Sequence, residues 1–372
     1  MTLAVVFAGG GTGGHIFPSL AVLEHLLARE PDLPHVFLCS AREIDARILR
    51  ARQEPFLALP AMPPGAHPTR LASFLRSWGP SVREARRAIR DLRVRATRVV
   101  VLSTGGFVSA PVAQAARVER APLVLLNQDS PPGRANRWVS RFARRVLTTA
   151  PNERPGWDRI PPVVRSEAIA PGDARVCRLE LGLAPDAPTL FVTGASQGAS
   201  SINAFAEAFA RTHARELVSG SWQVIHQTGP TGAERARAAY AGLGITALVE
   251  PFMDRMGLAW GAADVAMSRS GAGSVAEAWA NHTPTLFLPY PHHRDQHQRF
   301  NAEPLAHAGG ALIATDLVDP GENIRTVAPT LLSLLNDTGA RSRMRDALEA
   351  LGPVDGAARV ARAILEDGHP GV

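Results

Sequence analysis

The chain has 372 residues, 45% of them hydrophobic, which exceeds what one hydrophobic core usually supports and predicts two domains. Its 40 basic and 34 acidic residues give a net charge of +6, and by itself this charge does not distinguish between nucleic acid, anionic lipid and a phosphorylated substrate as partners. The sequence contains no lysine, which excludes chemistry that needs one, such as a Walker lysine or a Schiff base.

Neither targeting signals nor cysteine chemistry are indicated. The residues before His15 contain no positively charged region, and no apolar run reaches the roughly 18 to 20 residues of a membrane-spanning helix. Cys39 and Cys177 lie far apart, without His or Cys neighbours at ligand spacing, which is typical of reduced structural thiols. We therefore expect a protein that stays in the cytoplasm and uses no metal and no cofactor.

A strand, a glycine turn and a helix follow one another three times along the chain. The apolar run 3–7 precedes a glycine cluster and a helical pattern over 17–28, with Pro18 near its start, where proline is tolerated. The later repeats join strands 99–102 and 190–193 to helices 112–117 and 202–209. Strands that alternate with helices predict parallel sheets, so we expect an α/β fold.

The proline-rich segment 150–172 has little helical periodicity and separates two such halves. Within it, the interdomain linker is predicted at 161–172. This gives a first Rossmann-like domain at 1–160 and a second at 173–340. The remaining segment, 341–372, is predicted to be helical and to pack across both halves.

The first glycine turn, residues 9–14, has the G-x-G-x-x-G spacing between a strand and a helix. Glycine there lets the backbone approach a phosphate, and the helix N-terminus offers N–H donors. A nicotinamide-dependent dehydrogenase is disfavoured, because the second strand, 36–39, is followed by Ser40 rather than by the acidic residue that holds an adenine ribose. Taken alone, the motif is equally compatible with a turn that only permits close packing.

The second half carries two further turns of small residues. Residues 194–199 lie between a strand and a helix, where their backbone and the Ser196 hydroxyl are suited to hold a diphosphate. Residues 268–277 place Glu277 early in a helix, where the dipole favours a carboxylate that accepts both hydroxyls of a ribose. A helix cap is the simpler interpretation of Glu277. Glycine turns in both halves predict a ligand in a cleft between them.

A histidine-rich stretch, residues 292–298, resembles a metal-binding tract. No spacing within it matches a defined metal site, and polar residues of such a loop more often contact solvent or sugar. No metal site is predicted here.

Seven motifs follow one another between residues 9 and 302: GGGTGGHIFPSLA, STGGFVSAP, TGASQGASSIN, VIHQTG, PFMDRM, SRSGAGSVAEA and HQRFNA. In this order they resemble the MurG family of peptidoglycan N-acetylglucosaminyltransferases. The resemblance implies a GT-B fold, in which two Rossmann-like doubly wound domains face a cleft. It also implies an inverting transfer of N-acetylglucosamine from UDP-GlcNAc to the MurNAc sugar of undecaprenyl-pyrophosphoryl-MurNAc-pentapeptide, which converts lipid I to lipid II.

An enzyme of this kind would be peripheral, on the cytoplasmic face of the plasma membrane. Its partners would be UDP-GlcNAc, the lipid I acceptor, the anionic membrane surface and other cell-wall synthesis proteins. Nucleic acid is not among them, since that interpretation rests on the basic charge alone and no recognition motif supports it.

The resemblance implies that the second half holds the UDP-sugar. Ser196 and its turn would lie at the diphosphate, with Arg165 nearby, and the Met253 backbone would lie at the uracil. Gln298 would contact the sugar. Phosphate and ribose would be surrounded by the residues of one turn and helix: Ala272, Gly273, Ser274, Val275, Ala276 and Glu277.

In the first half, Thr12, Gly13 and Gly14 would face the same cleft. His15 is the candidate general base for the acceptor hydroxyl, since imidazole accepts a proton near neutral pH. For an isolated histidine, a structural hydrogen bond to the turn would be the better interpretation. The motif around it favours a catalytic or acceptor-binding role instead.

An acceptor with a polyprenyl tail requires the enzyme to reach the bilayer surface. Residues 70–78 place Leu71, Phe74, Leu75 and Trp78 at helical spacing beside arginines. Such a face is suited to insertion beneath anionic headgroups. An ordinary helix that packs on the core would show the same pattern.

The acceptor half departs from the family pattern at two places. Phe107 stands where the family usually has an aromatic hydroxyl, and Leu126, Asn127, Gln128 and Asp129 stand where it usually reads His-Glu-Gln-Asn. These changes bring the acceptor into question rather than the donor. Asp129 is an alternative base or anchor, because a carboxylate accepts a hydroxyl proton, and a cap for the following turn is the simpler interpretation.

Two alternatives to lipid II synthesis follow from the changes at Phe107 and at residues 126–129. One is a UDP-sugar transferase with a different lipid or glycan acceptor. The other is a non-catalytic UDP-sugar-binding scaffold.

Overall fold

The computed structural model describes residues 2–11, 13–65, 67–151, 154–194 and 198–368. The chain forms two compact units. Unit 1 comprises Met1–Arg165 and Asp355–Val372, and unit 2 comprises Ser166–Val354. The change from unit 1 to unit 2 falls after Arg165, within the segment where the sequence predicts the linker.

Within its described residues, unit 1 contains a seven-stranded parallel sheet in the order β3-β2-β1-β4-β5-β6-β7. The strands are β1 (Leu3–Gly9), β2 (His35–Ser40), β3 (Phe56–Leu59), β4 (Arg98–Gly105), β5 (Leu123–Asn127), β6 (Arg145–Thr148) and β7 (Trp157–Arg159). The helices are α1 (Gly13–Leu27), α2 (Glu43–Ala51), α3 (Pro68–Arg93), α4 (Ser109–Val118), α5 (Arg134–Val139) and α16 (Gly356–Gly368).

Both faces of the unit 1 sheet are covered, which explains why its central strand is a continuous apolar run. Every residue of β1 is buried. Because side chains alternate along a strand, Val5 and Phe7 join the cluster of α1 and α16, whereas Ala4 and Val6 join the cluster of α3 and α4. The C-terminal helix α16 is thereby part of the unit 1 core.

Within its described residues, unit 2 contains a six-stranded parallel sheet in the order β10-β9-β8-β11-β12-β13. The strands are β8 (Thr189–Thr193), β9 (Gln223–Gln227), β10 (Ala247–Glu250), β11 (Val265–Ser268), β12 (Thr285–Phe287) and β13 (Ala311–Ile313). A 3-10 turn (Ser166–Ala168) precedes α6 (Ala174–Glu180), α7 (Ser200–Thr212), α8 (Ala214–Ser219), α9 (Ala233–Tyr240), α10 (Met256–Ala262), α11 (Ala272–Ala280), α12 (His297–His307), α13 (Pro320–Thr326), α14 (Ala328–Asn336) and α15 (Thr338–Ala350).

The strand order reverses once in each unit. In unit 1 the reversal lies between β1 and β4, which pair from Leu3 opposite Arg98 to Gly9 opposite Gly105. In unit 2 it lies between β8 and β11. Open parallel sheets bind ligands at the carboxyl ends of the strands at such a reversal, so each unit has one expected site.

The α/β fold class and both Rossmann-like units are as the sequence predicts, and two boundaries differ in detail. Helix α1 begins at Gly13, four residues before the predicted start, because two glycines and His15 already adopt helical geometry. The C-terminal helical segment divides between the units, with α15 in unit 2 and α16 in unit 1. Among the described residues, no helix has both the length and the apolar character needed to cross a bilayer.

Candidate active site

His15 lies at the strand reversal of unit 1, as the third residue of α1. Its Nδ1 is 3.1 Å from the carbonyl oxygen of Thr104, at the end of β4. A carbonyl only accepts hydrogen bonds, so this contact assigns the proton of the neutral ring to Nδ1. The free lone pair of the ring is then on Nε2, and a general base needs such an unprotonated nitrogen to accept a proton.

The second glycine loop packs against the ring of His15. Gly105 and Gly106 have φ angles of +106° and +79°, a region that glycine adopts without strain. A Cβ on Gly106 would lie 2.5 Å from the carbonyl oxygen of Gly10 and 3.1 Å from Cδ2 of His15. A Cβ on Gly105 would lie 3.1 Å from Cε1 of the same ring. The paired glycines therefore let the imidazole rest directly on backbone.

A buried carboxylate that the sequence analysis missed holds the first glycine turn. Asp45, in the first turn of α2, accepts hydrogen bonds through Oδ2 from the backbone N–H of Gly11 at 2.7 Å and from the Ser40 hydroxyl at 2.6 Å. The N–H of Gly11 therefore donates to a carboxylate of the protein itself. An acidic residue at the start of the helix after β2 is the signal that would have suggested it.

The other residues predicted around the first turn have different positions. Thr12 lies outside the described residues, Gly13 is buried and Gly14 is exposed. The ring of Phe107 lies beneath the turn, where a Cβ on Gly11 would come within 2.9 Å of its Cε1.

The segment of unit 1 that departs from the family pattern, residues 126–129, places the side-chain amide of Asn127 in the core. Asn127 donates to the carbonyl oxygen of Asp129 at 3.0 Å and to the Thr148 hydroxyl at 3.1 Å, and accepts from Asn136 at 2.9 Å. Leu126 and Asn127 are fully buried, whereas Asp129 is half-buried. Asn127 is therefore a bracing residue of β5, and Asp129 is the residue of this loop that carries charge.

The reversal of unit 2 brings two helix N-termini together. Helix α7 follows β8, and α11 follows the adjacent strand β11. Neither Ala199 nor Gly271, at the N-cap positions, makes a side-chain cap hydrogen bond. The first N–H groups of a helix have no partner within it, and the dipole there favours an anion. Ser196 and its immediate neighbours 195–197 lie outside the described residues.

Glu277 does not lie in the first helical turn, contrary to the sequence prediction. It is the sixth of nine residues in α11, so neither a cap nor a strong dipole effect applies. Its Oε2 accepts a hydrogen bond of 2.9 Å from the indole N–H of Trp260, which fixes the carboxylate. Of the other predicted residues of this helix, Ser274, Val275 and Ala276 are buried, while Ala272 and Gly273 lie at its accessible start.

A second contact network that the sequence analysis missed joins the loops of unit 2. Arg269, directly after β11, donates to the carbonyl oxygen of Leu288 at 2.7 Å and to the Ser201 hydroxyl at 2.6 Å. It also pairs with Asp316 at 2.8 Å, and both side chains are buried. Arg269 thus links the first turn of α7 with the segments that follow β11, β12 and β13.

The charge state of this pair is defined by its surroundings. Burial alone would raise the pKa of the Asp316 carboxyl, but hydrogen bonds from Asn323 and Ser201, with the Arg269 guanidinium, hold it below the ordinary value of 3.8. Burial lowers the pKa of the Arg269 guanidinium below its ordinary value, against the attraction of Asp316. We infer an ionised pair at neutral pH.

A buried histidine braces the glycine turn before α7. Gly198 has a φ of +72°, and a Cβ there would lie 2.4 Å from the carbonyl oxygen of Thr228. The Asn203 amide donates through Nδ2 to the same oxygen at 2.8 Å, and its Oδ1 lies 3.1 Å from Nε2 of His226. Desolvation, with a smaller repulsion from Arg235, lowers the pKa of His226 from 6.5 to about 3. His226 is therefore neutral at physiological pH.

Three further residues are predicted around the donor: Met253, Gln298 and Arg165. Met253 is buried in the segment between β10 and α10. Gln298, in the first turn of α12, accepts from the N–H of Tyr290 at 2.8 Å and so holds the loop before its helix. Arg165 belongs to unit 1, where its guanidinium carbon lies 3.9 Å from the ring centroid of Phe17.

The histidine-rich stretch forms contacts of its own. His297 bonds through Nδ1 to Asp295 at 2.8 Å, and its ring centroid lies 4.2 Å from that of His293. Across the described ranges, no group of three or more His, Cys, Asp and Glu side chains is placed to hold a metal ion.

The amphipathic segment lies in α3, and its apolar residues divide into two sets. Leu71 and Leu75 are 48% and 63% exposed. Phe74 and Trp78 instead form an edge contact with a centroid distance of 5.4 Å, and Trp78 packs on Trp138 at 5.8 Å. Leu71 and Leu75 are therefore exposed, whereas Phe74 and Trp78 are half-buried.

Comparison with known proteins identifies the family. Sequence models of the glycosyltransferase family 28 N-terminal and C-terminal domains match residues 5–148 and 189–352. A protein of Mycolicibacterium smegmatis is 34% identical over 98% of this chain and 94% of its own length. One of Alkalilimnicola ehrlichii is 35% identical over 99% of each chain. Both are named UDP-N-acetylglucosamine--N-acetylmuramyl-(pentapeptide) pyrophosphoryl-undecaprenol N-acetylglucosamine transferase.

Solved structures support the same assignment of the fold. MurG of Acinetobacter baumannii matches with a TM-score of 0.72 at 24% identity, over 98% of this chain and 99% of that one. Two doubly wound units with family 28 domains define a glycosyltransferase of the GT-B type, which confirms the predicted fold class. The chain belongs to the MurG family within glycosyltransferase family 28.

Proposed function

We propose that this protein transfers N-acetylglucosamine from UDP-GlcNAc to the MurNAc sugar of undecaprenyl-pyrophosphoryl-MurNAc-pentapeptide, which converts lipid I to lipid II. Relatives that align with nearly the whole chain carry the name of this reaction. The observation on the structure that carries the proposal is the imidazole of His15. It lies at the strand reversal of unit 1, with its proton assigned to Nδ1 and its Nε2 available as a base.

In this proposal unit 2 binds the donor. The paired N-termini of α7 and α11 hold the diphosphate, with Ser196 contributing from the turn before α7. Glu277, fixed by Trp260, accepts hydrogen bonds from the ribose. The Met253 backbone contacts the uracil and Gln298 contacts the sugar.

Unit 1 binds the acceptor in this proposal, and His15 acts as general base. The acceptor hydroxyl oxygen attacks the anomeric carbon of GlcNAc while the bond from that carbon to the UDP oxygen breaks. The hydroxyl proton moves to Nε2 of His15, and UDP leaves with the bonding electron pair. Attack on the face opposite the leaving group inverts the configuration. Asp129 is the alternative base.

The test is the release of UDP by purified protein, with UDP-GlcNAc in the presence and absence of a lipid I analogue in detergent. Release that depends on the acceptor is expected. His15→Ala should abolish turnover and leave UDP-GlcNAc affinity unchanged, whereas His25→Ala, which changes an exposed histidine of the same helix, should retain activity. Asp129→Asn distinguishes the second candidate base.

The results separate the alternatives. Full turnover by His15→Ala would refute its role as base. Donor binding without UDP release would refute lipid I as the acceptor and favour a different acceptor or a non-catalytic scaffold.

We also propose that unit 1 docks on an anionic membrane through the exposed leucines of α3, since the acceptor carries a polyprenyl chain. Leu71 and Leu75 are exposed beside Arg70 and Arg76, a combination that suits insertion beneath acidic headgroups. On this view the protein is peripheral on the cytoplasmic face of the plasma membrane, beside other cell-wall synthesis proteins.

Sedimentation with vesicles tests the membrane proposal. Binding should rise with the content of anionic lipid and fall for Leu75→Asp. The matched control is Leu179→Asp, which changes a leucine of α6 that is 59% exposed. Equal binding by Leu75→Asp and the unchanged protein would refute the proposed docking face.

A further inference from the structure

A pocket of unit 2 to which the proposed function assigns no ligand lies at the β13 edge of the sheet. The segments that follow β12 and β13 and the first turn of α12 form its walls. These segments lie at the carboxyl ends of the strands, the end of the sheet at which α/β proteins bind their ligands. The pocket, called the edge pocket below, has a volume of about 260 Å³, and its main lining residues are Tyr290, Pro291, Gln296, Arg299, Ile313 and Thr315.

Arg299 supplies the edge pocket with a positive charge and with hydrogen-bond donors. Among the described residues its guanidinium makes one hydrogen bond, from Nε to Glu303 at 3.4 Å, so both terminal nitrogens remain for a ligand. Their planar arrangement matches the two oxygens of a carboxylate. Gln296 and Thr315 are exposed and add a side-chain amide and a hydroxyl.

The acidic residues near the edge pocket do not cancel this charge. Asp316 also lines the pocket, but its carboxylate pairs with the buried Arg269 at 2.8 Å, so that pair adds no net charge. Glu303 is the ion-pair partner of Arg299, and both side chains contact solvent, which makes the pair weak. The edge pocket therefore favours a ligand that carries a negative charge.

The other half of the edge pocket is apolar. The side chain of Tyr290 is 41% exposed, and Pro291 and Ile313 lie in the same wall. The Arg269 guanidinium carbon, 5.5 Å from the ring centroid, supports the tyrosine from the protein side. Small-ligand pockets usually measure about 300 to 1,000 Å³, so the edge pocket fits the end of a chain rather than a whole ligand. A short peptide end combines small apolar groups with a terminal carboxylate.

Two strained residues hold the walls of the edge pocket in shape. Gln296 and Val318 have φ angles of +48° and +68°, a region that residues other than glycine rarely adopt and that is least favourable for a β-branched side chain. The N–H of Val318 donates to Oδ1 of Asp316 at 2.8 Å, which fixes the second of these turns. Strained residues of this kind cluster at ligand sites, where the surrounding contacts maintain them.

We propose that the edge pocket binds the free carboxyl end of the acceptor's pentapeptide, with Arg299 on the carboxylate and Tyr290 against the last side chains. This inference rests on the proposed function, in which the acceptor hydroxyl attacks the donor sugar that unit 2 holds. MurNAc carries its peptide on the same ring as that hydroxyl, so the peptide starts one sugar away from Gln298. Gln298 directly precedes Arg299 and accepts the N–H of Tyr290 at 2.8 Å. Arg299 is thus a residue for acceptor affinity and takes no part in proton transfer.

The kinetic test compares two lipid I analogues that differ in one group. One has a pentapeptide with a free terminal carboxylate, and the other has the same peptide with a terminal amide. For the unchanged protein, the KM for the carboxylate analogue should be about tenfold lower. This is the lower end for a hydrogen bond to a charged group, because the guanidinium keeps contact with solvent. In Arg299→Gln the two KM values should be equal, with kcat and the KM for UDP-GlcNAc little changed.

Two further variants complete the kinetic test. Arg343→Gln is the matched control, because it removes an exposed arginine of α15 in the same unit, 3.9 Å from Asp337. It should keep the full preference for the carboxylate analogue. Arg299→Lys keeps the charge but not the planar fork, and should keep part of the preference. Equal KM values for the two analogues in the unchanged protein, or an unaltered preference in Arg299→Gln, would overturn the proposal.

A binding experiment without glycosyl transfer separates this inference from the proposed function. Acetyl-dialanine and its terminal amide, each in the L,L and D,D forms, are titrated into the unchanged protein and Arg299→Gln with detection by NMR. Binding of the free carboxylate that weakens in Arg299→Gln supports the edge pocket even if lipid I gives no turnover. No binding, equal binding by the two proteins, or equally tight binding of inorganic phosphate would overturn the assignment and leave the glycosyl transfer intact.

Discussion

The buried imidazole of His226 should make the stability of unit 2 depend on pH in a specific direction. Its pKa is about 3 in the folded protein, against 6.5 for an ordinary histidine. Below pH 6.5 the unfolded chain binds a proton that the folded chain does not, so the folded state loses stability as the pH falls. At pH 5, about 1.5 units below the unfolded pKa, this difference amounts to about 2 kcal/mol.

The perturbation is His226→Gln, which removes the titrating ring and keeps an amide that can bond to Asn203. We expect the substitution to destabilise unit 2 at pH 7.5, because the packing against Tyr240 is lost. At pH 5 the destabilisation should be smaller by about 2 kcal/mol. At that pH the unchanged protein has lost about this much stability through the protonation of His226 in its unfolded state, whereas the variant has no histidine at this position.

Urea denaturation at the two pH values measures this difference, with hydrogen exchange of β9 peptides reporting on unit 2. His307→Gln, which removes an exposed histidine of α12, is the control and should show the same pH dependence as the unchanged protein. A destabilisation by His226→Gln that is equal at both pH values would refute the neutral buried imidazole.

Two further predictions concern the loops of the candidate site. Gly106→Ala should lower kcat at least tenfold without changing UDP-GlcNAc affinity, because its Cβ would lie 2.5 Å from the carbonyl oxygen of Gly10 and would displace the ring of His15. A kcat equal to that of the unchanged protein, measured by steady-state kinetics, would contradict this. Asp316→Asn should destabilise unit 2 by about 3 kcal/mol, because Arg269 would be left buried without its anion. Calorimetry should also show weaker UDP-GlcNAc binding by this variant. A variant as stable as the unchanged protein would refute the ionised pair. The stability that the depressed pKa of Asp316 provides should be present above pH 3.8 and lost as the pH falls below it.

The sequence alone predicted the parts of the protein that depend on local patterns. Apolar runs such as β1 are continuous because both faces of a parallel sheet are buried, so the strands, the parallel sheets and the two units could be inferred. The glycine turns were found because positive φ angles and close backbone approach require glycine, as at Gly106. These constraints act over a few residues, and a sequence records them directly.

The contacts that fix the candidate site were decided by the tertiary structure. The N–H of Gly11 donates to Asp45 of α2, 34 positions along the chain, and Arg269 after β11 pairs with Asp316 after β13. No local pattern pairs either acidic residue with its distant partner. Glu277 was placed one turn too early, because the sequence pattern did not show that α11 begins at Ala272. Side chains distant in sequence become partners only when the sheet brings their loops to one edge, and that proximity is a property of the fold.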